Sequence, residues 1–536
     1  MIYYNYVWRN NMVLSSAMVK ICQKEDCISR DFSKCLMNQG VQFQIVLEID
    51  NDIAEKIFIE SSLKDYIQIY RVYDVKGGYE HRRNKKTDDY YIKSADDQYP
   101  DLLQKAEEIK AKTGEKVVLL VDVSEKEKPV GVHTIDIKIG EKVATFTLEV
   151  VNATLAPTDL IVTHWMHIDC ICDYYNVSPF GKEFYKIFDT FLTAYVRMGN
   201  TMLLLPAFTA PLDTAVGHER TTTQLVGVIK RGETYDFDFT KMKEYLDFCI
   251  AHGVKYFEHS HLFTQWGAEF CPKIIVNENG KEYNAFGWAV RSDDVRYQTF
   301  LKAYLKALTE FLQKENLSDK LFLHITDEPK PEHIDRYKKL SALVKENAHG
   351  LKTMDALSEY SFAKEKAVDI PIVVMNSKEL SLFDENKMLY YCVEVDNEYI
   401  TNHLLNMPLQ RTEILGMQLY ETRAKGFLSW AYNFYSAEFS LGRIDPYTDA
   451  TSGGGFPAGD PFIVYPGKDG VEPSVRYFSL KRAFEDYRLL KTVERKIGKE
   501  QTLELLHKNG VSGVHEYPRS VTWHEEFREK LIDLIA

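Results

Sequence analysis

The stretch LFLHITDEPK occupies residues 321–330 and joins a mainly apolar segment to two adjacent acids. Segment 321–326 has the length and composition of a buried β-strand. Pro329 cannot donate a hydrogen bond to a neighbouring strand, so the strand must end near Asp327 and Glu328. In α/β folds the carboxyl ends of parallel strands form the face where ligands bind. The stretch therefore predicts two carboxylates at a ligand-binding face.

Adjacent acids in a regular strand point to opposite faces, but a bend at the strand end can bring both into one pocket. In a partly dry pocket each carboxylate raises the cost of ionising the other, so one can stay protonated while the other is an anion. Asp327 and Glu328 are therefore candidate catalytic residues. The competing interpretation is that Asp327 caps a helix that begins near Pro331 and that Glu328 is solvated.

Candidate strands and helices alternate on both sides of this stretch. The predicted strands cover 159–168, 200–207, 254–261, 321–326, 352–356, 370–376, 388–395 and 427–433. The predicted helices cover 184–197, 239–251, 295–314, 334–347 and 411–424. This rhythm predicts a TIM-like (β/α)8 barrel over 158–490, with the two acids on its fourth strand. The fifth and sixth helices have weak patterns, so a distorted or seven-stranded barrel is the alternative.

The predicted fold class is multidomain α/β, because the residues before the barrel have a different pattern. Short alternating segments over 41–151 predict a β-sandwich, interrupted by one helix over 101–112. Residues 1–40 form an extension of uncertain structure, with no predicted element before Met18. Residues 491–536 predict a small C-terminal helical extension.

Composition excludes several classes of partner. The net charge of −13 is spread along 536 residues, which argues against nucleic acid and anionic membranes as partners. Eight cysteines without a Cys-x-x-Cys pair predict free thiols in a reducing compartment. The first residues lack the pattern of a signal peptide, so the expected location is the cytoplasm. High aromatic content, with 33 Tyr, 29 Phe and 6 Trp, suits stacking on sugar rings.

Histidine and aromatic residues follow the other predicted strands and suit a neutral polyhydroxylated ligand. The candidate substrate-binding residues are His167, His259, Trp266, Tyr391, Trp430, Tyr432 and Asn433. Core packing is an equal alternative for each aromatic residue taken singly. The glycine-rich segment 453–467 predicts a loop over the pocket rim and adds Asp460 to the candidates.

Histidine spacing also permits a metal site. Either His164, His167 and Asp169, or His259 and His261, could supply ligands. No ordered later set of His and Asp completes such a site, so the sequence predicts neither a metal nor a cofactor.

Several motifs together are similar to a known family. They are the Asp-Glu-Pro at 327–329, the aromatic eighth strand, GDPFIVYPG at 459–467, SVRY at 474–477 and AFEDY at 483–487. Over 117–490 the chain resembles glycoside hydrolase family 123, the β-N-acetylgalactosaminidases. The loop reads Gly-Asp-Pro where Gly-Asp-Gly is expected.

The resemblance implies retaining, substrate-assisted hydrolysis of a terminal β-linked N-acetylhexosamine in an oligosaccharide or glycoconjugate. The acetamido oxygen of the substrate would attack C1, Glu328 would act as acid and then base, and Asp327 would accept the acetamido N–H. Tyr391 is the predicted donor to the acetamido carbonyl, and Trp430 is the predicted platform under the sugar.

Two other functions remain open at this level. One is a retaining glycosidase for another sugar, with Glu258, Glu394 or Glu438 as nucleophile. The other is a non-catalytic carbohydrate-binding barrel protein. The exact sugar, endo or exo action and the oligomeric state are not determined.

Overall fold

Two five-stranded sheets pack face to face in the N-terminal part of the chain, as predicted for a sandwich. The computed structural model describes residues 12–78, 88–265, 267–357, 359–391 and 398–536. The sandwich strands are β1 Met12–Ser16, β2 Phe32–Leu36, β3 Val41–Glu48, β4 Ile53–Glu60, β5 Ile67–Lys76, β6 Gln98–Lys105, β7 Glu108–Ala111, β8 Lys116–Val123, β9 Gly131–Ile139 and β10 Lys142–Val151. The sheet orders are β1-β3-β8-β5-β6 and β2-β10-β9-β4-β7. Between them the rings of Phe43 and Phe146 stack with centroids 4.0 Å apart.

Two predictions about this region are wrong. The expected helix over 101–112 is instead the strands β6 and β7, which pair with β5 and β4. Strand β1 lies before Met18 and pairs antiparallel with β3, while β2 pairs in parallel with β10. Tertiary context outweighs the local helical pattern here, because strand preference depends on burial and on side-chain packing against neighbouring strands.

The rest of the chain contains the predicted barrel. Its strands are β11 Ile161–His164, β12 Met202–Leu205, β13 Gly227–Arg231, β14 Thr234–Asp238, β15 Tyr256–His259, β16 Ile274–Glu278, β17 Lys281–Phe286, β18 Leu321–His324, β19 Lys352–Leu357, β20 Ile370–Val374, β21 Met388–Tyr390, β22 Gly426–Ser429, β23 Tyr465–Gly467 and β24 Gly470–Glu472. Eight of them form the parallel sheet β11-β22-β21-β20-β19-β18-β15-β12. The amide of Thr201 donates to the carbonyl of Val162 at 2.9 Å where β11 meets β12. All eight predicted barrel strands are therefore confirmed.

Helices cover the outside of the barrel. They are α1 Ile168–Tyr175, α2 Lys182–Met198, α3 Thr240–Ala251, α4 Val295–Lys314, α5 Ile334–Asn347, α6 Tyr360–Lys364, α7 Leu409–Glu413, α8 Leu415–Glu421, α9 Val475–Ile497, α10 Lys499–Lys508 and α11 Val521–Ile535. The weak fifth and sixth helices are the five-residue α6 and a short 3-10 turn, Leu380–Leu382. Helix α9 runs through the predicted boundary at residue 490. Among the described residues, no helix has the length and apolar character needed to cross a membrane.

Alternation along the short barrel strands decides which side chains face the barrel axis. The inward set includes Trp165, Phe322, Met354, Tyr390 and Leu428. Neighbours such as Leu323, Leu389 and Phe427 pack in the layer between the strands and the helices. A shift of one residue therefore moves a side chain from the barrel interior to the outer layer.

Three buried charged side chains, the charged triad Glu258, His324 and Asp355, connect the upper ends of β15, β18 and β19. His324 Nδ1 lies 2.6 Å from Glu258 Oε1, and its Nε2 makes an ion-pair contact of 3.3 Å with Asp355 Oδ1. Burial opposes a charge on His324, but hydrogen bonding and the negative charges of Asp355 and Glu258 outweigh it and raise its pKa to about 10. The imidazolium is thus a fixed positive charge below the barrel mouth.

A second buried ion pair joins the sandwich to the barrel. Arg476 of α9 donates from Nε and Nη2 to the two carboxylate oxygens of Asp101 in β6, both at 2.9 Å, and both side chains are 0% exposed. Its Nη1 also donates to the carbonyls of Gly459 and Phe462 in the predicted rim loop. One guanidinium therefore holds the sandwich, α9 and the rim loop together.

We expect Arg476→Met to lower the free energy of unfolding by about 3–5 kcal/mol, because it leaves the Asp101 carboxylate buried without its partner. Urea denaturation followed by tryptophan fluorescence measures the change. Arg291→Met, which breaks an exposed pair with Glu269, is the matched control and should leave the midpoint unchanged. Adding Asp101→Leu to Arg476→Met should recover part of the loss; an unchanged midpoint in Arg476→Met would contradict the assigned role.

We expect His324 to carry hydrogen on both ring nitrogens at pH 8, as seen by neutron crystallography. His164 and His259 are matched controls with one hydrogen each, because burial lowers their pKa values to about 4. Since the pKa of His324 is raised from 6.5 on folding, its stabilisation is complete below about pH 6.5 and is lost as the pH rises through about 10. A single hydrogen on His324 at pH 8 would rule out the imidazolium.

Candidate active site

Asp327 and Glu328, the dyad, lie in one cavity at the C-terminal mouth of the barrel. Strand β18 ends at His324, and the backbone then bends, with Glu328 in the left-handed region at φ 44°. A non-glycine residue there is strained, and such strain concentrates at functional sites. The cavity has a volume of about 100 Å³ and opens to solvent at the barrel mouth. Its lining is Trp165, Leu212, Asp213, Gln265, Asp327, Glu328, Ala356, Tyr390, Tyr391, Leu428, Trp430 and Phe456.

The tyrosine hydroxyl that reaches the dyad belongs to Tyr390, which donates to Glu328 Oε1 at 2.8 Å. Tyr391 borders the cavity, but its ring packs on Phe427 and His403 with centroids 4.7 and 5.3 Å apart. The role predicted for Tyr391 stays a prediction, and it is the adjacent Tyr390 whose hydroxyl contacts the dyad. The reason is strand parity: Tyr390 faces the barrel interior, and Tyr391 faces the outer layer.

Both acids of the dyad are harder to ionise than free carboxyl groups. Burial, followed by the charge of Glu328, raises the pKa of Asp327 well above its usual value, while the positive charge of His324 opposes the shift. Burial also raises the pKa of Glu328, and the hydrogen bond from Tyr390 opposes that shift. The dyad therefore holds a proton more tightly than two solvated acids, as a general acid requires.

Trp430 and the rim loop form one side of the cavity. Trp430 Nε1 donates to Asp460 Oδ2 at 3.0 Å, and its ring lies 4.8 Å from that of Phe456. Phe456 and Asp460 both belong to the glycine-rich segment, so this segment reaches the cavity, as predicted. Of the predicted ligand contacts, Trp430 lines the cavity and Asp460 orients its indole.

Other candidates lie behind the cavity wall. His259 faces the outer layer, where its Nε2 lies 2.7 Å from the Tyr304 hydroxyl. Tyr432 packs edge-on against Tyr195, with centroids 5.1 Å apart. Asn433 accepts from the amide of His167 and donates to its carbonyl, so it holds the first strand's loop to the eighth.

His167 lies near the cavity without lining it. Its Nδ1 is 3.0 Å from Arg220 Nη2, and its Nε2 is 3.2 Å from the carbonyl of Trp430. Arg220 in turn donates to both carboxylate oxygens of Asp169. These residues brace the Trp430 backbone. Trp266 lies outside the described residues.

Sequence reasoning missed several lining residues. Trp165 comes from the end of β11, and Asp213 and Gln265 come from loops after β12 and β15. Parity along β11 could have pointed to Trp165. The loop residues have no local signal, because their approach depends on how two distant loops fold over the barrel.

Metal ligation was considered for the buried histidines. Glu258, His261 and His324 place possible ligand atoms within 4.8 Å of one another. Glu258 and His324 are already paired at 2.6 Å, and Trp165 Nε1 donates to both carboxylate oxygens of Glu258. Glu258 and His324 are therefore engaged in a charged hydrogen-bond network, whereas both ring nitrogens of His261 lack a hydrogen-bond partner among the described residues. The absence of a metal stays a prediction.

Comparisons with known proteins agree with this geometry. The model of the glycoside hydrolase 123 catalytic domain matches residues 165–493. A solved structure described as "the details of glycolipid glycan hydrolysis by the structural analysis of a family 123 glycoside hydrolase from Clostridium perfringens" is 13% identical, with a TM-score of 0.70 over 98% of this chain and 97% of that one. At this identity the likeness shows a common fold.

Two further solved structures are much less similar and carry no argument. A family 2 glycosyl hydrolase from Bacteroides cellulosilyticus DSM 14838 has 10% identity and a TM-score of 0.27, covering 76% of this chain and 46% of that one. A family 5 mannosidase variant from Rhizomucor miehei has 11% identity and a TM-score of 0.31, covering 65% and 93%. No curated protein sequence matches the chain.

The matched domain covers more than half of the chain and contains the dyad, Tyr390 and Trp430. The chain therefore belongs to glycoside hydrolase family 123 and is a glycosidase that acts on glycans.

Proposed function

We propose that the protein removes terminal β-linked N-acetylgalactosamine from a glycan by retaining, substrate-assisted hydrolysis. The observation that supports this most is the approach of two adjacent carboxyl groups to one cavity, with a tyrosine hydroxyl on one of them. The acetamido group and the leaving oxygen are on neighbouring carbons of the sugar. Two neighbouring acids on one turn match that spacing.

In the first step Glu328 gives its proton to the glycosidic oxygen, and the C1–O bond breaks with its electrons going to that oxygen. The acetamido carbonyl oxygen forms a bond to C1, giving a positively charged oxazolinium ion. Asp327 accepts a hydrogen bond from the acetamido nitrogen and stabilises the charge. In the second step Glu328 takes a proton from water, and the hydroxide attacks C1 and reopens the ring with net retention.

Substrate binding determines where the proton of the dyad resides. The imidazolium of His324 favours an anion at Asp327, and an acetamido N–H donating to Asp327 favours the same state. The proton is then left on Glu328, next to the leaving oxygen. The hydroxyl of Tyr390 is placed to turn from Glu328 to the acetamido carbonyl and align it with C1.

A conventional carboxylate nucleophile has less support. Glu258 is fully buried and engaged by His324 and Trp165. Glu438 lies at the rim, close to Gly455 and outside the set of cavity-lining residues. Glu394 lies outside the described residues.

We expect nitrophenyl N-acetyl-β-galactosaminide to be hydrolysed and nitrophenyl β-galactoside not to be. The second sugar has a 2-hydroxyl instead of the acetamido nucleophile, whose well-oriented attack is worth an effective molarity of about 10⁵–10⁸ M. Initial rates of nitrophenol release measure both reactions. Glu328→Gln should lower the rate by about 10²–10⁴-fold on an alkyl glycoside and by much less on nitrophenyl substrates, since nitrophenol leaves without a proton.

Asp327→Asn is the matched comparison, and it should slow every substrate because it acts on the attacking amide and not on the leaving group. A thiazoline that mimics the cyclised intermediate should inhibit the parent. Equal hydrolysis of the acetamido and 2-hydroxy substrates would refute the substrate-assisted route.

We expect Tyr390→Phe to lower kcat by about 10–100-fold, the usual effect of losing a hydrogen bond to a charged group. Tyr391→Phe is the control on the adjacent residue, and its activity should equal that of the parent because its ring packs in the outer layer. Steady-state kinetics on the nitrophenyl substrate compares the two. The opposite ranking would return the role to Tyr391.

A further inference from the structure

The mechanism leaves two polar side chains of the cavity wall without a task. Asp213 follows β12, Gln265 follows β15, and each is only 8% exposed. Both line the cavity that contains the dyad. Polar groups buried to this extent normally have partners, so an unpaired one needs an explanation.

The side-chain amide of Gln265 has a defined orientation. Its Oε1 accepts the backbone N–H of Asp213 at 2.8 Å, so its Nε2 must be the group that points away. Nε2 is buried and has no hydrogen-bond partner among the described residues. The cavity wall therefore presents a donor that a ligand can satisfy.

Asp213 is held just as firmly. Its Oδ2 accepts from the amide of Phe439 at 2.9 Å, and its carbonyl accepts from Ser440 Oγ at 2.6 Å. Asp213, Phe439 and Ser440 have φ values of 38°, 58° and 56°, all in the left-handed region. This strained contact between two loops fixes the Asp213 carboxyl group on the cavity wall, where the backbone amide of Asp213 contacts Gln265.

We propose that Asp213 and Gln265 bind a hydroxyl of the sugar on C4 or C6. Binding at C4 would also set the choice between the galacto and gluco hexosamines, which differ only in configuration at that carbon. A hydroxyl donates one hydrogen bond and accepts others, so it needs the acceptor–donor pair that these residues form. The dyad occupies the C1 and C2 side of the ring, and Trp430 covers a ring face. Asp213 and Gln265, in the loops after β12 and β15, can then face the opposite side of the ring, which carries C4 and C6. This inference rests on the proposed function.

The test combines substitutions with deoxy substrates. On nitrophenyl N-acetyl-β-galactosaminide, Asp213→Asn should lower kcat/KM by about 10–100-fold. Removal of the recognised hydroxyl, in the 4-deoxy or the 6-deoxy analogue, should lower kcat/KM of the parent by a similar factor. On that analogue the variant and the parent should have equal kcat/KM values. On the other analogue, which keeps the recognised hydroxyl, the kcat/KM of the variant should still be lower than that of the parent.

Gln265→Glu is the second variant: it keeps an acceptor for the Asp213 amide and replaces the donor by a carboxylate oxygen, with one added negative charge. It should lower kcat/KM on the full substrate by a similar factor and should equal the parent on the analogue that lacks the recognised hydroxyl. Asp236→Asn, on the exposed hairpin β13–β14, is the matched control and should behave as the parent. An equal loss with Asp213→Asn on all analogues, or no loss in either variant, would overturn the proposal.

Direct binding separates this inference from the proposed function. Saturation-transfer NMR of free N-acetylgalactosamine and its 4-deoxy and 6-deoxy forms should show weaker binding of one deoxy form to the parent and no such difference for Asp213→Asn. This result would support the hydroxyl subsite even if the parent did not hydrolyse the nitrophenyl substrate. Equal binding of all three sugars to the parent would refute it.

Discussion

The charged triad determines how the upper end of the barrel can be built. A carboxylate from β15, an imidazolium from β18 and a carboxylate from β19 meet near the upper ends of these strands with no exposure to solvent. Such charges are tolerated only when each one is paired, because an isolated buried charge is very costly. The three strands must therefore keep their register. The turn that carries the dyad starts three residues after His324, so its position follows from the same constraint.

The triad also sets the electrostatics of the dyad. The positive charge of His324 opposes the effects that raise the pKa of Asp327, which are burial, the neighbouring Glu328 and the negative charges of Asp355 and Glu258 in the triad itself. Glu328 takes its own opposing contact from Tyr390, on the seventh barrel strand. The two carboxyl groups are chemically similar but have different surroundings. Different surroundings move their pKa values apart, so that at one pH one group can be protonated while the other is an anion.

The sandwich and the long C-terminal helix belong to the same construction. Arg476 ties Asp101 of the sandwich to the loop that includes Gly459 and Phe462. That loop places Asp460 on the indole nitrogen of Trp430 and Phe456 against its ring. The wall of the cavity that contains the dyad therefore depends on a residue from the sandwich. The sandwich and the barrel differ in secondary structure, but the buried pair of Arg476 and Asp101 joins them.

Much of the architecture could be read from residue order. Apolar segments alternating with amphipathic helical patterns predicted all eight barrel strands. Because Pro329 ends the fourth strand, the sequence also predicted that Asp327 and Glu328 lie at its C-terminal end. Local pattern failed where sheet pairing decided the outcome, as in β1, β6 and β7. At the seventh barrel strand it selected Tyr391, whereas the hydroxyl that contacts Glu328 belongs to Tyr390, because parity on a three-residue strand depends on where pairing begins. By itself the sequence determined the barrel, its acids and its family, since these are recorded in neighbouring residues. Only the tertiary structure decided which side chains meet in the cavity: Trp165, Asp213, Gln265 and Tyr390 are far apart in the chain, and their approach depends on strand register and on loops folding over the barrel mouth.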